Sequence, residues 1–172
     1  MSPAVQVPTD LILLAFERNS RVNAALLADI VDGDLPFAAA GGWSIGQHLC
    51  HLASFRQGWL TVISPAHADS LKPILEFGET DDDVTPLVRS VDEIATAFRD
   101  GDAAALDAVS LALAEDRPFR HAYRSHPTSF LMHILIHDAH HRGQVMSLLR
   151  QSGRSRADME RLEESSWPVW RE

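Results

Sequence analysis

Residues 130–149 read FLMHILIHDAHHRGQVMSLL. Phe130, Ile134, Val145 and Leu148 fall at helical spacing, and His137 and His141 occupy the middle of that apolar stripe. Positions i and i+4 lie above one another on one helix face, so the two imidazoles address a common centre. Imidazoles on a buried face are costly without a partner, and a divalent metal is the partner that uses both. The segment predicts a core helix carrying an incomplete metal site. Pro127 before Thr128 marks its start, and Gly153 beyond Gln151 marks its end.

Three other long helical patterns lie upstream, and no strand is expected. One runs from Thr9 to Asp32 between Pro8 and Gly33, with Leu13, Phe16, Ser20, Asn23, Leu27 and Ile30 on one face. The next opens at Ser44 with Gln47 three positions on, a capping-box arrangement, and stops at Pro65. The third opens at Ser90 with Glu93 in the same relation and extends to Glu115, with Gly101 as a candidate kink. The expected fold is therefore all-α: an antiparallel four-helix bundle with a long crossover between helices two and three, formed by Pro65 to Arg89. That crossover, with its acidic run Asp81-Asp82-Asp83, reads as a solvated link. Residues 1–172 are expected to form a single domain, with a C-terminal extension from about residue 154 that begins as a short polar segment. Its Trp167-Pro168-Val169-Trp170 would dock on the body or on a second subunit.

Composition narrows the function. Acids outnumber bases, 24 to 15, for a formal net charge of −9. Nucleic-acid binders gain most of their affinity by neutralising phosphates with Lys and Arg, so that class is excluded. No apolar run approaches the roughly 20 residues of a membrane span. The N-terminus lacks a basic stretch followed by an apolar core, so no secretory signal is read and a cytoplasmic protein is expected. Cys50 is the only cysteine, which excludes an internal disulfide and thiolate-rich zinc sites.

Metals in proteins normally take at least three protein ligands, so a third must come from another helix. Helix two offers His48 and His51, three apart on one face. His48 fits the stripe of Ile45, Leu52 and Phe55, and His51 lies at its edge; periodicity does not choose between them. His67, His121 and His126 fall in or near loops, where surface histidines are the rule, and His133 and His140 flank the pair on helix four. Two other helical metal patterns fail. His137-Asp138-x-x-His141 has Asp where the zinc-protease signature has Glu, and no glutamate here has a histidine three residues on, as di-iron bundles require.

Two stretches resemble the DinB-like superfamily, small metal-binding four-helix bundles that include thiol-dependent S-transferases and isomerases. One is Gly42-Trp43-Ser44 with His51-Leu52, the histidine eight residues after the tryptophan; the other is His137 with His141-Arg142-Gly143-Gln144. The resemblance spans nearly the whole chain and implies that His51, His137 and His141 are the three metal ligands, which selects His51 over His48. It also implies a homodimer, as in many relatives, and a thiol-dependent reaction. Three neutral imidazoles leave an ion with its full charge and an open position, the pattern of a catalytic site. The expected function is a metal-dependent thiol S-transferase holding zinc, nickel or iron, with a low-molecular-weight thiol and an electrophilic small molecule as partners. The alternative is a bundle that binds metal or a small ligand without turnover. No catalytic residue and no organic cofactor site is read. Asp138 and Gln144 are conceivable orienting groups, although Asp138 projects about 100° away from His137. Arg142 is expected to cap or to pair structurally, and Gly143 to admit a neighbouring helix.

Overall fold

The computed structural model describes residues 8–80 and 83–172; Asp81, Asp82 and the N-terminal segment on which the signal reading rests lie outside them. The elements in order are α1 (Thr9–Ala28), α2 (Ile45–Ile63), a single turn α3 (Pro65–Ala68), β1 (Leu75–Phe77), β2 (Val84–Pro86), α4 (Val91–Ala114), α5 (Thr128–Gln151) and α6 (Arg156–Ser166). The long helices α1, α2, α4 and α5 are the expected four, and the fold is all-α apart from the one small hairpin.

Local chemistry sets their ends. Ser44 Oγ accepts from Gln47 N at 3.1 Å while Gln47 Oε1 accepts from Ser44 N at 2.8 Å, closing the capping box of α2. Ser90 and Glu93 do the same for α4. Gly153 follows α5 at φ +94°, a left-handed turn that glycine adopts without steric cost. The first helix stops at Ala28 rather than Asp32. Residues 32–34 form a tight 3-10 turn instead, where Asp32 Oδ1 accepts from Val91 N and Arg154 holds both Asp29 O and Asp34.

Helix directions follow from the contacts. Phe16 shares one core cluster with Phe130 and Ile134, and Leu26 shares another with Val145 and Leu149, so α1 and α5 run the same way. His48 meets His141, and Phe55 meets His133, so α2 runs against α5. Ala53 and Ala97 line one cavity and Ile63 and Ala112 another, so α2 and α4 are parallel. Two helices point each way, and the crossover from α2 to α4 is what a parallel pair requires.

Four further expectations are corrected. The crossover is not a bare solvated link: β1 and β2 pair antiparallel with Phe77 opposite Val84, Ile74, Leu75 and Val84 enter the core, and Val84 O accepts from Gln47 Nε2 at 2.8 Å. The segment after Gly153 is helical, capped by Ser155 accepting from Asp158 N. Met159, Leu162 and Val169 are buried on the body, and Arg21 holds Glu172 through two hydrogen bonds. Finally, α4 passes through Gly101 unbroken; a Cβ there would sit 3.1 Å from Arg56 Cβ, so the glycine makes room for that side chain. Gly143, expected to admit a neighbouring helix, has no atom within 4 Å of a Cβ built on it.

Candidate metal centre

Because α2 and α5 are antiparallel, histidines three apart on one face those four apart on the other, and the rings form a ladder across the interface. His51, His137 and His141 each point one ligand atom into a space where all three lie within 4.8 Å of one another. His51 Nε2 and His137 Nε2 are 3.0 Å apart. His48, the other candidate on α2, lies beside the trio, with its Nδ1 3.3 Å from His141 Nδ1.

Apolar rings enclose the ladder. Phe55 stacks on His137 at 3.8 Å between centroids and 19° between planes. Phe77, on the crossover hairpin, presents an edge contact to His51 at 6.4 Å. Trp43 lies within 5.4 Å of His48 and 5.1 Å of His51, and stacks over His141 at 11°. Burial in this surround, reinforced by the neighbouring imidazoles, pushes the pKa of His48 and His51 down to about 4 and that of His137 to about 3. His141 is also lowered, chiefly by burial. The rings are therefore neutral at neutral pH, with lone pairs available.

The donor set fits a divalent cation. The atoms that converge are ring nitrogens, Nε2 of His51 and Nε2 of His137 among them. Hydrogen bonding among three converging imidazoles can satisfy only pairs, one proton per pair, and strands the remaining nitrogens. One cation accepts three lone pairs at once. The same three-nitrogen set leaves room for a further ligand, and a cleft of about 620 Å³ lined by Gly41, Gly42, Trp43, Gln47, His48, His141 and Gln144 opens beside it.

The centre of the buried face of α5 is occupied by Asp138, not by the histidines that flank it half-buried. Asp138 accepts from Arg56 through both guanidinium ends at 2.7 and 2.6 Å, and from Asn19 and Asn23 at 2.6 and 2.7 Å. Arg56, fully buried, also donates to Asp102 at 2.8 Å and to Leu52 O at 2.8 Å. Burial alone would raise the Asp138 carboxyl, but the Arg56 charge and the two amides hold it below its ordinary value. Arg142 donates to Asn19 Oδ1 and Asn23 Oδ1, both at 2.6 Å, which is the structural pairing expected of it.

Sequence reasoning missed Arg56, Asp102, Asn19 and Asn23. The available signal was Arg56 at core spacing between Leu52 and Leu60, and two asparagines one turn apart on the buried face of α1. His133 pairs with Tyr123 at 2.7 Å, His67 with Ser64 at 2.8 Å and His126 with Thr128 at 2.7 Å, none of them in the trio. His121 and His140 are exposed, and Gln144 lines the cleft beside His141.

Comparison with known proteins agrees with this fold. The DinB family model matches residues 1–171. A solved structure described as a DinB-like protein from Bacillus cereus ATCC 10987 is similar in fold, with a TM-score of 0.55 and 22% identity over 86% of this chain and 94% of that one. No curated protein matches the chain. Among the described residues no helix is long and apolar enough to cross a membrane. With a match over almost its entire length and the bundle that the match implies, the chain belongs to the DinB family.

Proposed function

We propose that this protein holds a divalent metal ion on His51, His137 and His141 and acts as a metal-dependent thiol S-transferase. The observation that carries the metal reading is the convergence of three neutral imidazole nitrogens from α2 and α5 on one space. A bound ion would supply Lewis acidity, lowering the pKa of a thiol or water at its open position. The protein's own contribution is placement and exclusion. Phe55, Phe77 and Trp43 keep water from the ring faces, and the cleft past Gly41 and Gly42 leaves one side open to a small molecule. The partners would be a low-molecular-weight thiol and an electrophile, on a homodimer in the cytoplasm. Nucleic acid is disfavoured by the charge of −9.

A second reading, metal or ligand binding without turnover, is favoured by one feature: among the described residues no carboxylate, lysine, arginine or tyrosine lines the cleft. Metal content of protein purified without an affinity tag, compared with His141→Ala, tests what both readings share. One equivalent of metal in the parent and loss in the variant is expected; equal metal in both removes the ligand assignment. Incubation of the loaded parent with cellular thiols and electrophiles then separates the readings. Thioether formation that disappears in His141→Ala supports transfer, and its absence across the thiol series leaves binding alone.

A further inference from the structure

Resting on the metal reading above, we infer that His48 is a positioning residue that sets the tautomer and ring orientation of His141 through their Nδ1···Nδ1 contact. The two nitrogens are 3.3 Å apart, a hydrogen bond in which one ring carries the proton. Metal-bound histidines usually donate their second ring N–H to a neighbour, which fixes the ring and raises its basicity. Within the trio, the Nδ1 atoms of His51 and His137 have no such neighbour among the described residues. His141 Nδ1 has His48. When His141 is the donor, its lone pair is on Nε2, and the ring lies 4.8 Å from His51 and 4.6 Å from His137 between centroids.

The surroundings make His48 suited to this and to little else. It is buried, one helical turn before His51 on the same face of α2, and held against Trp43 at 5.4 Å. The Trp43 ring also stacks over His141, so both partners of the hydrogen bond are clamped by one indole. No other side chain is recorded in a hydrogen bond with His48 among the described residues. A packing role would need only an aromatic disc of this size; an orienting role needs an acceptor at this point.

The two roles separate in paired variants. His48→Phe keeps the ring and removes the acceptor, whereas His48→Gln gives up the ring and keeps an acceptor within reach. Metal-free protein is titrated with cobalt(II) against a chromophoric chelator, and the visible spectrum of the loaded protein is recorded; metal-free unfolding midpoints serve as the control for folding. The expected result is a loss of affinity of about 10–100-fold with a displaced cobalt band in His48→Phe, the range for lost supporting hydrogen bonds. His48→Gln is expected to stay near the parent in both measures. A His48→Phe variant that binds cobalt like the parent overturns the positioning role, as does equal loss in both variants. A parent that takes up no cobalt instead overturns the metal reading, and this inference with it.

Discussion

Two polar centres sit one residue apart on α5, and they are finished in opposite ways. At Asp138 each carboxylate oxygen has at least one donor, and the Arg56 fork is shared between Asp138, Asp102 and a backbone carbonyl. At His137 Nε2 faces the ring of His51, and Nδ1 has no hydrogen-bond partner among the described residues. A closed network of this kind fixes how α5 is rotated against α1, α2 and α4. Its cost in desolvation is offset by complete pairing. The open cluster beside it is left with surplus lone pairs, aimed at a common point by that rotation. One centre builds the scaffold, and the other could hold a metal ion.

The sharpest way to break this comparison is Asp138→Ala. It leaves the Arg56 charge half-paired in the core and should cost about 3–5 kcal/mol, the range for a buried pair missing one partner. Urea unfolding of the metal-free variant measures it, and a loss below about 1 kcal/mol would show that Arg56 is satisfied without Asp138.

Acid should act on the open centre first. His48, His51 and His137 have folded pKa values of about 4, 4 and 3, below the usual histidine value of 6.5. As pH falls below 6.5 the unfolded chain takes up protons that the folded rings refuse. Their contribution is therefore complete above about pH 6.5 and is lost as pH drops toward 4 and 3. Asp138, itself depressed, adds a further loss only in stronger acid. Urea midpoints of the metal-free protein at pH 7.5 and pH 5 should show the lower value at pH 5. A midpoint that is flat or rises on acidification contradicts the burial of the rings.

Two glycines give the smallest and most local test. Gly101→Ala places a Cβ 3.1 Å from Arg56 Cβ, against the closed network, and should destabilise by about 1–3 kcal/mol as overpacking does. Gly143→Ala, in the motif of the open centre, meets nothing within 4 Å and should stabilise by about 0.4–1 kcal/mol through helix propensity. A Gly101→Ala melting temperature at or above the parent's would contradict the assignment of close approach to Gly101, and a lowered one for Gly143→Ala would contradict the open space there.

The long helices were legible because their caps and apolar faces are local signals: Ser44 with Gln47, Ser90 with Glu93, and Pro127 with Gly153 bracket them within a residue or two. The hairpin was not, since each strand is three residues long and held mainly by the core and by Gln47. Nor was α6, whose sequence is mostly charged and whose burial rests on Met159 and Leu162. In the site, His137 and His141 announce themselves by spacing. Between His48 and His51 the choice needed the family resemblance, because both lie on one face of α2 and only three-dimensional reach distinguishes them. Asp138 was read as pointing away from His137, which is correct. Its role stayed hidden because a carboxylate inside an apolar stripe has meaning only once Arg56 arrives from another helix.

The hairpin between α2 and α4 also has a mechanical consequence. Its carbonyl at Val84 is tied to the side chain that caps α2, and its Phe77 touches His51. Tugging on this excursion of the chain is therefore felt at an imidazole. Shortening or stiffening it would shift that ring from a distance, while the rods of the bundle stayed where they are.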